Sequence, residues 1–415
     1  MERRNLALVC AVAVCFWLFA LAFGSAQGLG LRAVLEQPVQ DAILVAGTPE
    51  QPAAERKDWP SLGLNCRTAI LVDQGTGTVL YEKDADQQVP VASITKVMTL
   101  LLTFEAVHSG KLTMETEVPV SEHAYEMGGS QIWLEPGEHF TLDEMVRAIC
   151  IASANDAAVA VAELVGGSEP AFVEMMNARA AELGMEHTTY HNACGLDTEG
   201  HLSTARDVAL LSRYIIETCP EVLHYTGIWT DSLRGGETQL VNTNKLLKRY
   251  SGITGLKTGT TGGAGVCITA TATRDGLSLI AVILGAPSSA DRFRSAITLL
   301  DYGFANYEAA PLPDLGQRPL QVAVRGSAEG SVPLDYTALP GHLLLEKGAG
   351  KALAAEVSLP EQLDAPVQRG AAVGSVTIHS GEAVLGTYEI RAAADVPRLD
   401  FAAAWELLWA SLTGQ

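Results

Sequence analysis

The sequence is poor in charge, in aromatic residues and in cysteine. Of its 415 residues, 18% are charged and 6% are aromatic. Lys and Arg number 28 against 48 Asp and Glu, a formal net charge of −20. With so few cations no basic face can dominate, which argues against a nucleic-acid partner. Disorder is excluded by the opposite balance, 48% hydrophobic residues at low charge density. Seven cysteines are too few for a disulfide scaffold of this length. Two of them, Cys10 and Cys15, lie in an N-terminal apolar run. The other five, Cys66, Cys150, Cys194, Cys219 and Cys267, are odd in number and widely spaced. No CxxC pair exists, so zinc and thiol redox chemistry lack support, and buried free thiols are expected. There is no internal repeat.

What is present begins with a targeting pattern. Arg3 and Arg4 precede an uncharged apolar run, Leu6–Phe23, and the small residues Gly24, Ser25 and Ala26 follow it. This reads as a cleaved signal peptide over 1–26. The competing reading is an uncleaved anchor, since a run of this length can just span a bilayer. Both place the rest of the chain outside the cytoplasm. Residues 27–62 carry Pro and Gln without a clear period and read as a lead-in.

Two apolar runs, Ala69–Val72 and Thr78–Tyr81, flank the turn cluster Asp73–Gly77 and predict a β-hairpin. Helical spacing follows over Ile94–Val107, over Leu142–Val165 with an interruption, over Pro170–Leu183 and over Ala205–Glu217. Val266–Thr271 and Leu277–Leu284 read as strands joined by a hairpin turn at Thr273–Gly276, and Ser295–Phe304 as a closing helix. Strands at both ends and helices between predict one α/β domain over 63–308. From Pro311 the chain turns to short apolar runs cut by Gly and Pro, a small all-β domain over 309–396. Beyond it, Phe401, Trp405, Leu408, Trp409 and Leu412 share about a third of a helical wheel. That terminal helix, 397–415, suits either interfacial membrane contact or docking onto the β domain. It lacks the Lys and Arg that anionic lipid attracts.

Three short motifs carry chemistry. In Ser93-Ile94-Thr95-Lys96 the Ser and Lys are three apart, on one helical face. A desolvated lysine there can take the serine proton, and the helix N-terminus favours developing negative charge. Ser153-Ala154-Asn155 interrupts a long apolar helical stretch. Ser153 suits a proton relay to a leaving group, and Asn155 suits hydrogen bonding to a substrate amide. Lys257-Thr258-Gly259, followed by Thr260, falls on a probable strand. Lys257 would add positive charge, Thr258 and Thr260 offer hydroxyls to a carboxylate, and Gly259 admits close approach. Each motif alone has a bland reading: a capped helix start, a capped helix break, a strand ending in a glycine turn. Their order and spacing together are those of penicillin-binding proteins and class A β-lactamases.

The stretch Pro90–Thr99 resembles the nucleophile region of the D-alanyl-D-alanine carboxypeptidases, the low-molecular-mass penicillin-binding proteins. Ser153–Asp156, His201–Asp207, Asn242–Asn244 and Gly255–Gly259 match further, and Ala365–Val367 and Gly370–Gly374 resemble the family's C-terminal β domain. The resemblance covers roughly 63–415. It implies a β-lactamase/transpeptidase-like α/β fold: an antiparallel sheet with helices on both sides and a helical subdomain, then a small all-β domain. It implies a serine acyl-enzyme with Ser93 as nucleophile and Lys96 as base, and an oxyanion hole from the backbone N–H groups of Ser93 and Thr260. Lys257, Thr258 and Thr260, helped by Arg292, would hold the terminal carboxylate. No metal and no cofactor are implied. The partners would be peptidoglycan stem peptides, with β-lactams as inhibitors and a membrane surface reached through the terminal helix.

Two departures stand out. Gram-negative members often carry His after the Lys-Thr-Gly motif, where this chain has Thr260, and the terminal helix is acidic rather than basic. A β-lactamase is the nearest rival, but no ExxxN segment stands out, since Glu174 and Asn177 share an amphipathic helix at the wrong spacing. A penicillin sensor that acylates without turnover is a third reading, and it lacks a cytoplasmic signalling segment.

Overall fold

The computed structural model describes residues 59–316, 318–349, 353–401 and 404–405. The expected signal segment, most of the lead-in and most of the expected terminal helix lie outside the described residues. Among the described residues, no helix is long and apolar enough to cross a membrane.

The central sheet joins the two ends of the catalytic region. Strands β1 (Thr68–Asp73) and β2 (Val79–Lys83) form the expected hairpin. Strands β3 (Ile253–Thr261), β4 (Gly265–Arg274) and β5 (Leu277–Ala286) come from the far end of the domain. All pair antiparallel in the order β2-β1-β5-β4-β3. In β5, alternate residues serve opposite cores. Leu279, Ala281 and Ile283 face one cluster, while Ile280, Val282 and Leu284 face the other. A strand covered on both faces must be apolar throughout, which is why this segment reads as an unbroken run.

One face carries helix α6 (Ser289–Asn306), longer than the sequence suggests and capped by Ser288. Gly303 sits where a Cβ would meet Leu279 at 2.5 Å, so this helix lies close on the sheet. The other face carries a helical region: α1 (Lys96–His108), α2 (Leu142–Arg147), α3 (Asn155–Gly166), α4 (Glu169–Glu182) and α5 (Ala205–Thr218). A capping box between Thr141 and Glu144 starts α2, and Gly167, left-handed at φ +79°, ends α3.

A strand at Tyr307–Ala310 follows α6 directly and pairs with Leu343–Glu346. Beyond it six strands form one sheet, running in space Leu353–Ser358, Ala372–Ser380, Ala383–Ala392, Ser331–Asp335, Gln321–Arg325, Gln362–Asp364. Val322, Val332, Val376, Ile378 and Ile390 fill its core. This is the expected all-β domain after an α/β domain. All five cysteines outside the N-terminal run are free, and four are buried.

Candidate active site

The nucleophile turn is tighter than a plain helix start. Ala92–Thr95 is a 3₁₀ turn that passes straight into α1 at Lys96. Side chains three apart eclipse in 3₁₀ geometry, which sets Lys96 Nζ 2.9 Å from Ser93 Oγ. Lys96 is fully buried. Its ammonium donates also to Asn155 Oδ1 at 2.6 Å and to the Cys194 carbonyl at 2.7 Å. Burial lowers this amine to about 8, since desolvation penalises the charged form. The amide of Asn155 is fixed from its other end, its Nδ2 donating to Gly128 O at 2.6 Å.

The interruption predicted between 142 and 165 is real. Helix α2 widens into a π-turn over Ala148–Ala152, and Ser153 then adopts a left-handed conformation at φ 64°. A non-glycine residue there is uncommon and costs energy; here it turns a hydroxyl toward β3. Lys257 Nζ donates to Ser153 Oγ at 2.7 Å and to Thr258 O at 3.0 Å. Burial holds the Lys257 amine well below its ordinary value, and the charges of Lys96 and Arg292 push the same way. The positive charge expected of Lys257 is therefore disfavoured until an anion arrives.

Strand β3 is the free edge of the sheet. It passes so close to the nucleophile that a Cβ at Gly259 would meet Ser93 N and Val91 O, each at 2.9 Å. This close approach explains the glycine. Thr258 donates to Thr243 Oγ1 at 2.6 Å, and Thr260 to Gly259 O at 2.8 Å. Behind them Arg292 Nη1 reaches Gly259 O at 3.3 Å and Thr260 Oγ1 at 3.4 Å. Arg292 is more than nine-tenths buried, and among the described residues its Nε has no partner. Burial lowers it to about 10. Its contacts are long, so its donors are not spent.

All nine residues expected at the site thus converge: Ser93, Lys96 and Asn155 on one wall, Ser153, Lys257 and Thr258 on the other, Gly259, Thr260 and Arg292 along the edge strand. Glu174 and Asn177 do not join them. Glu174 is exposed, and Asn177 braces the chain by accepting from Tyr190 N and donating to Tyr190 O.

Several supports gave no readable signal or none with an assigned role. The Cys194 carbonyl is backbone, and no side-chain pattern marks it. Asp156 buries its carboxylate against the N–H groups of Ile132, Leu134 and Ala157, so it anchors the loop beside Asn155. Asn244 donates to Gly255 O at 3.0 Å and holds β3 just ahead of Lys257. His201 Nδ1 accepts from His191 N at 3.1 Å, which leaves Nε2–H to donate to Thr95 Oγ1 at 2.8 Å. Burial lowers this imidazole to about 4, so it is neutral. Among the described residues, His108, Cys219 and Glu221 are grouped closely enough to hold a metal ion, and none of them touches the site.

A D-alanyl-D-alanine carboxypeptidase family model matches residues 53–288, and a model of the penicillin-binding protein 5 C-terminal domain matches 307–398. The D-alanyl-D-alanine carboxypeptidase DacF of Bacillus subtilis is 38% identical over 83% of this chain and 89% of its own length. Penicillin-binding protein 5 from Haemophilus influenzae superimposes with a TM-score of 0.71 at 27% identity, covering 82% of this chain and all of that one. Penicillin-binding protein D2 from Listeria monocytogenes, solved in an ampicillin-bound form, gives 0.55 at 34% identity, covering 59% of this chain and all of its own. With a serine and a lysine paired under a free edge strand, and a family model spanning more than half of its length, this chain belongs to the D-alanyl-D-alanine carboxypeptidase family.

Proposed function

We infer that the chain is a serine-type D-Ala-D-Ala carboxypeptidase that trims the terminal D-alanine from peptidoglycan pentapeptide stems and is inhibited by penicillin. The observation that carries this is the Ser93–Lys96 pair at 2.9 Å, roofed by an edge strand whose Gly259 abuts Ser93 N. A peptide can add to a free edge by backbone hydrogen bonds, which lays the carbonyl of its last peptide bond over Ser93.

The steps follow from the partners of each group. Neutral Lys96 takes the Ser93 proton as Oγ attacks the penultimate D-Ala carbonyl. The oxyanion sits against the N–H groups of Ser93 and Thr260. Ser153, bonded to Lys257, passes a proton to the amine as the C–N bond breaks and D-Ala leaves. The proton that Lys96 took from Ser93 passes to Ser153 in exchange, which leaves Lys96 neutral again. Water then attacks the ester, Lys96 takes its proton, and that proton returns to Ser93 Oγ as the acyl–oxygen bond breaks and the shortened peptide leaves. The terminal carboxylate lies against Thr258, Thr260 and Arg292, and it restores charge to Lys257, which burial otherwise disfavours.

We place the enzyme on the extracytoplasmic side of the cell membrane, by the Leu6–Phe23 run and its small-residue flank. The stacked, exposed rings of Phe401 and Trp405, 6.4 Å between centroids, suit contact with a membrane surface through the terminal helix.

The test is D-Ala release from a pentapeptide ending in D-Ala-D-Ala, by wild type and by Ser93→Ala. No release by wild type sinks the carboxypeptidase reading, and release by Ser93→Ala sinks the nucleophile. Rapid hydrolysis of benzylpenicillin would point to a lactamase instead.

A further inference from the structure

The loop from Tyr190 to His201 supplies no reacting group in the steps above, yet it touches both the nucleophile turn and the edge strand. On the nucleophile side it makes three bonds. His201 donates to Thr95, the Cys194 carbonyl accepts from Lys96, and the Ala193 carbonyl accepts from Thr99 Oγ1 at 2.6 Å. A Cβ at Gly195 would meet Ala92 O at 1.9 Å, so the loop lies flush on the nucleophile turn. It is stiffened from within by Asn192, whose Oδ1 accepts from the N–H groups of Cys194, Gly195 and Leu196.

On the opposite side one carboxylate makes the connection. Asp197 Oδ1 accepts from Thr261 Oγ1 at 2.6 Å, and Oδ2 accepts from Gly263 N at 2.9 Å. Thr261 ends β3 directly after Thr260, and Gly263 lies in the turn that closes β3 onto β4. As a free edge, β3 lacks a sheet neighbour on the site side to fix its distance from Ser93. The loop is the brace, and Asp197 is its grip.

We propose that Asp197 is a positioning residue for acylation: by clasping the β3–β4 turn to the loop that holds Lys96, it sets the Thr260 N–H against Ser93. The inference rests on the carboxypeptidase reading. Asp197 touches no reacting atom; it acts through Thr261 and Gly263.

The experiment is a double-mutant cycle on the full chain, read as the second-order rate of labelling by a fluorescent penicillin. D-Ala release and the urea midpoint are measured alongside. Asp197→Ala is expected to slow acylation about tenfold, since small misplacements in a site carry losses of this order. Thr261→Val should slow it less, and Thr261→Ser, which keeps the hydroxyl, should label at the wild-type rate. The double variant should lose less than the product of the two single losses, because both cut one link. Urea midpoints should stay at the wild-type value, a readout that a merely structural role would move. Independent, multiplying losses would overturn the clasp, as would an Asp197→Ala rate equal to wild type. Should Asp197→Ala fold poorly, Asp197→Asn and Thr261→Val still decide it, and a wild-type rate in both would overturn it. A wild type that takes no label and releases no D-Ala brings down the carboxypeptidase reading and the clasp with it.

Discussion

Lys96 must be neutral to accept the Ser93 proton, and its burial decides at what pH that holds. With its amine lowered to about 8, about a tenth of the enzyme carries the neutral base at pH 7 and about a hundredth at pH 6. The rate of acylation should therefore climb about tenfold per pH unit up to about 8 and then level off. An ordinary lysine near 10.5 would place the same rise about two and a half units higher. Penicillin acylation followed by stopped-flow fluorescence between pH 5.5 and 9.5 measures this directly, with buffers held at constant ionic strength. Lys96→Arg is the companion variant. Its guanidinium cannot deprotonate in this range, so acylation should fall by about 10²–10⁴, the usual contribution of a general base, and the pH dependence should vanish. The same burial has a stability consequence whose sign is fixed. Between about 8 and 10.5 the unfolded chain holds a proton that the folded site does not, so Lys96 makes stability rise with pH across that window, by about 3 kcal/mol in all. A flat acylation profile from pH 6 to 9, or an inflection near 10.5, would refute the claim that burial tunes Lys96 as the base.

Three further outcomes follow from the geometry. Gly259→Ala should slow acylation at least tenfold with little change in melting temperature, because its Cβ would press on Ser93 N and Val91 O at 2.9 Å and push the edge strand outward; a wild-type rate would contradict that close approach. Asn155→Ala removes an acceptor that favours the charged form of Lys96, so the acylation inflection should move below 8 and stability should drop by about 1–3 kcal/mol for the buried groups left unpaired; an upward move of the inflection would count against it. His201 is neutral in the fold, lowered to about 4 by burial. The unfolded chain binds its proton from about 6.5 downward, so this site loses stability as pH falls from about 6.5 to 4, by about 3 kcal/mol. Thermal melts over that range should fall more steeply for wild type than for His201→Gln.

The parts of the fold that could be read from the sequence are those with a period or a turn signal. The Ala69–Tyr81 hairpin, the helix interruption at Ser153 and the Asp275-Gly276 turn all stand where local pattern puts them. Helix boundaries were less legible. Helix α6 begins six residues before Ser295, at Ser289, because its start is fixed by the Ser288 cap and not by an apolar stripe. Of the nine expected site residues, eight were legible because each contributes a side chain whose type is tied to its chemistry, and Gly259 because its lack of one admits close approach. What stayed hidden is backbone and long-range: the Cys194 carbonyl under Lys96, the left-handed turn at Ser153, and the grip of Asn244 on Gly255. The first joins segments 98 residues apart, the second is one residue's backbone angle, and the third ends on a carbonyl, which no local composition marks as an acceptor.

The charge of −20 takes on a different meaning beside this site. A strongly acidic molecule does not need a permanently positive pocket to bind a carboxylate. Burial holds both Lys96 and Lys257 below their ordinary values, and the charges of Lys96 and Arg292 lower Lys257 further. A substrate carboxylate arriving beside Lys257 and Arg292 offsets part of its own desolvation by favouring the charged form of Lys257. The same event thus prepares the cation that binds it, and it ties affinity for the carboxylate to a proton held at Lys257. Substrates that end in an amide instead of a carboxylate should accordingly show a raised KM, because nothing then offsets the burial that disfavours charge on Lys257; an unchanged KM for the amide would count against this coupling.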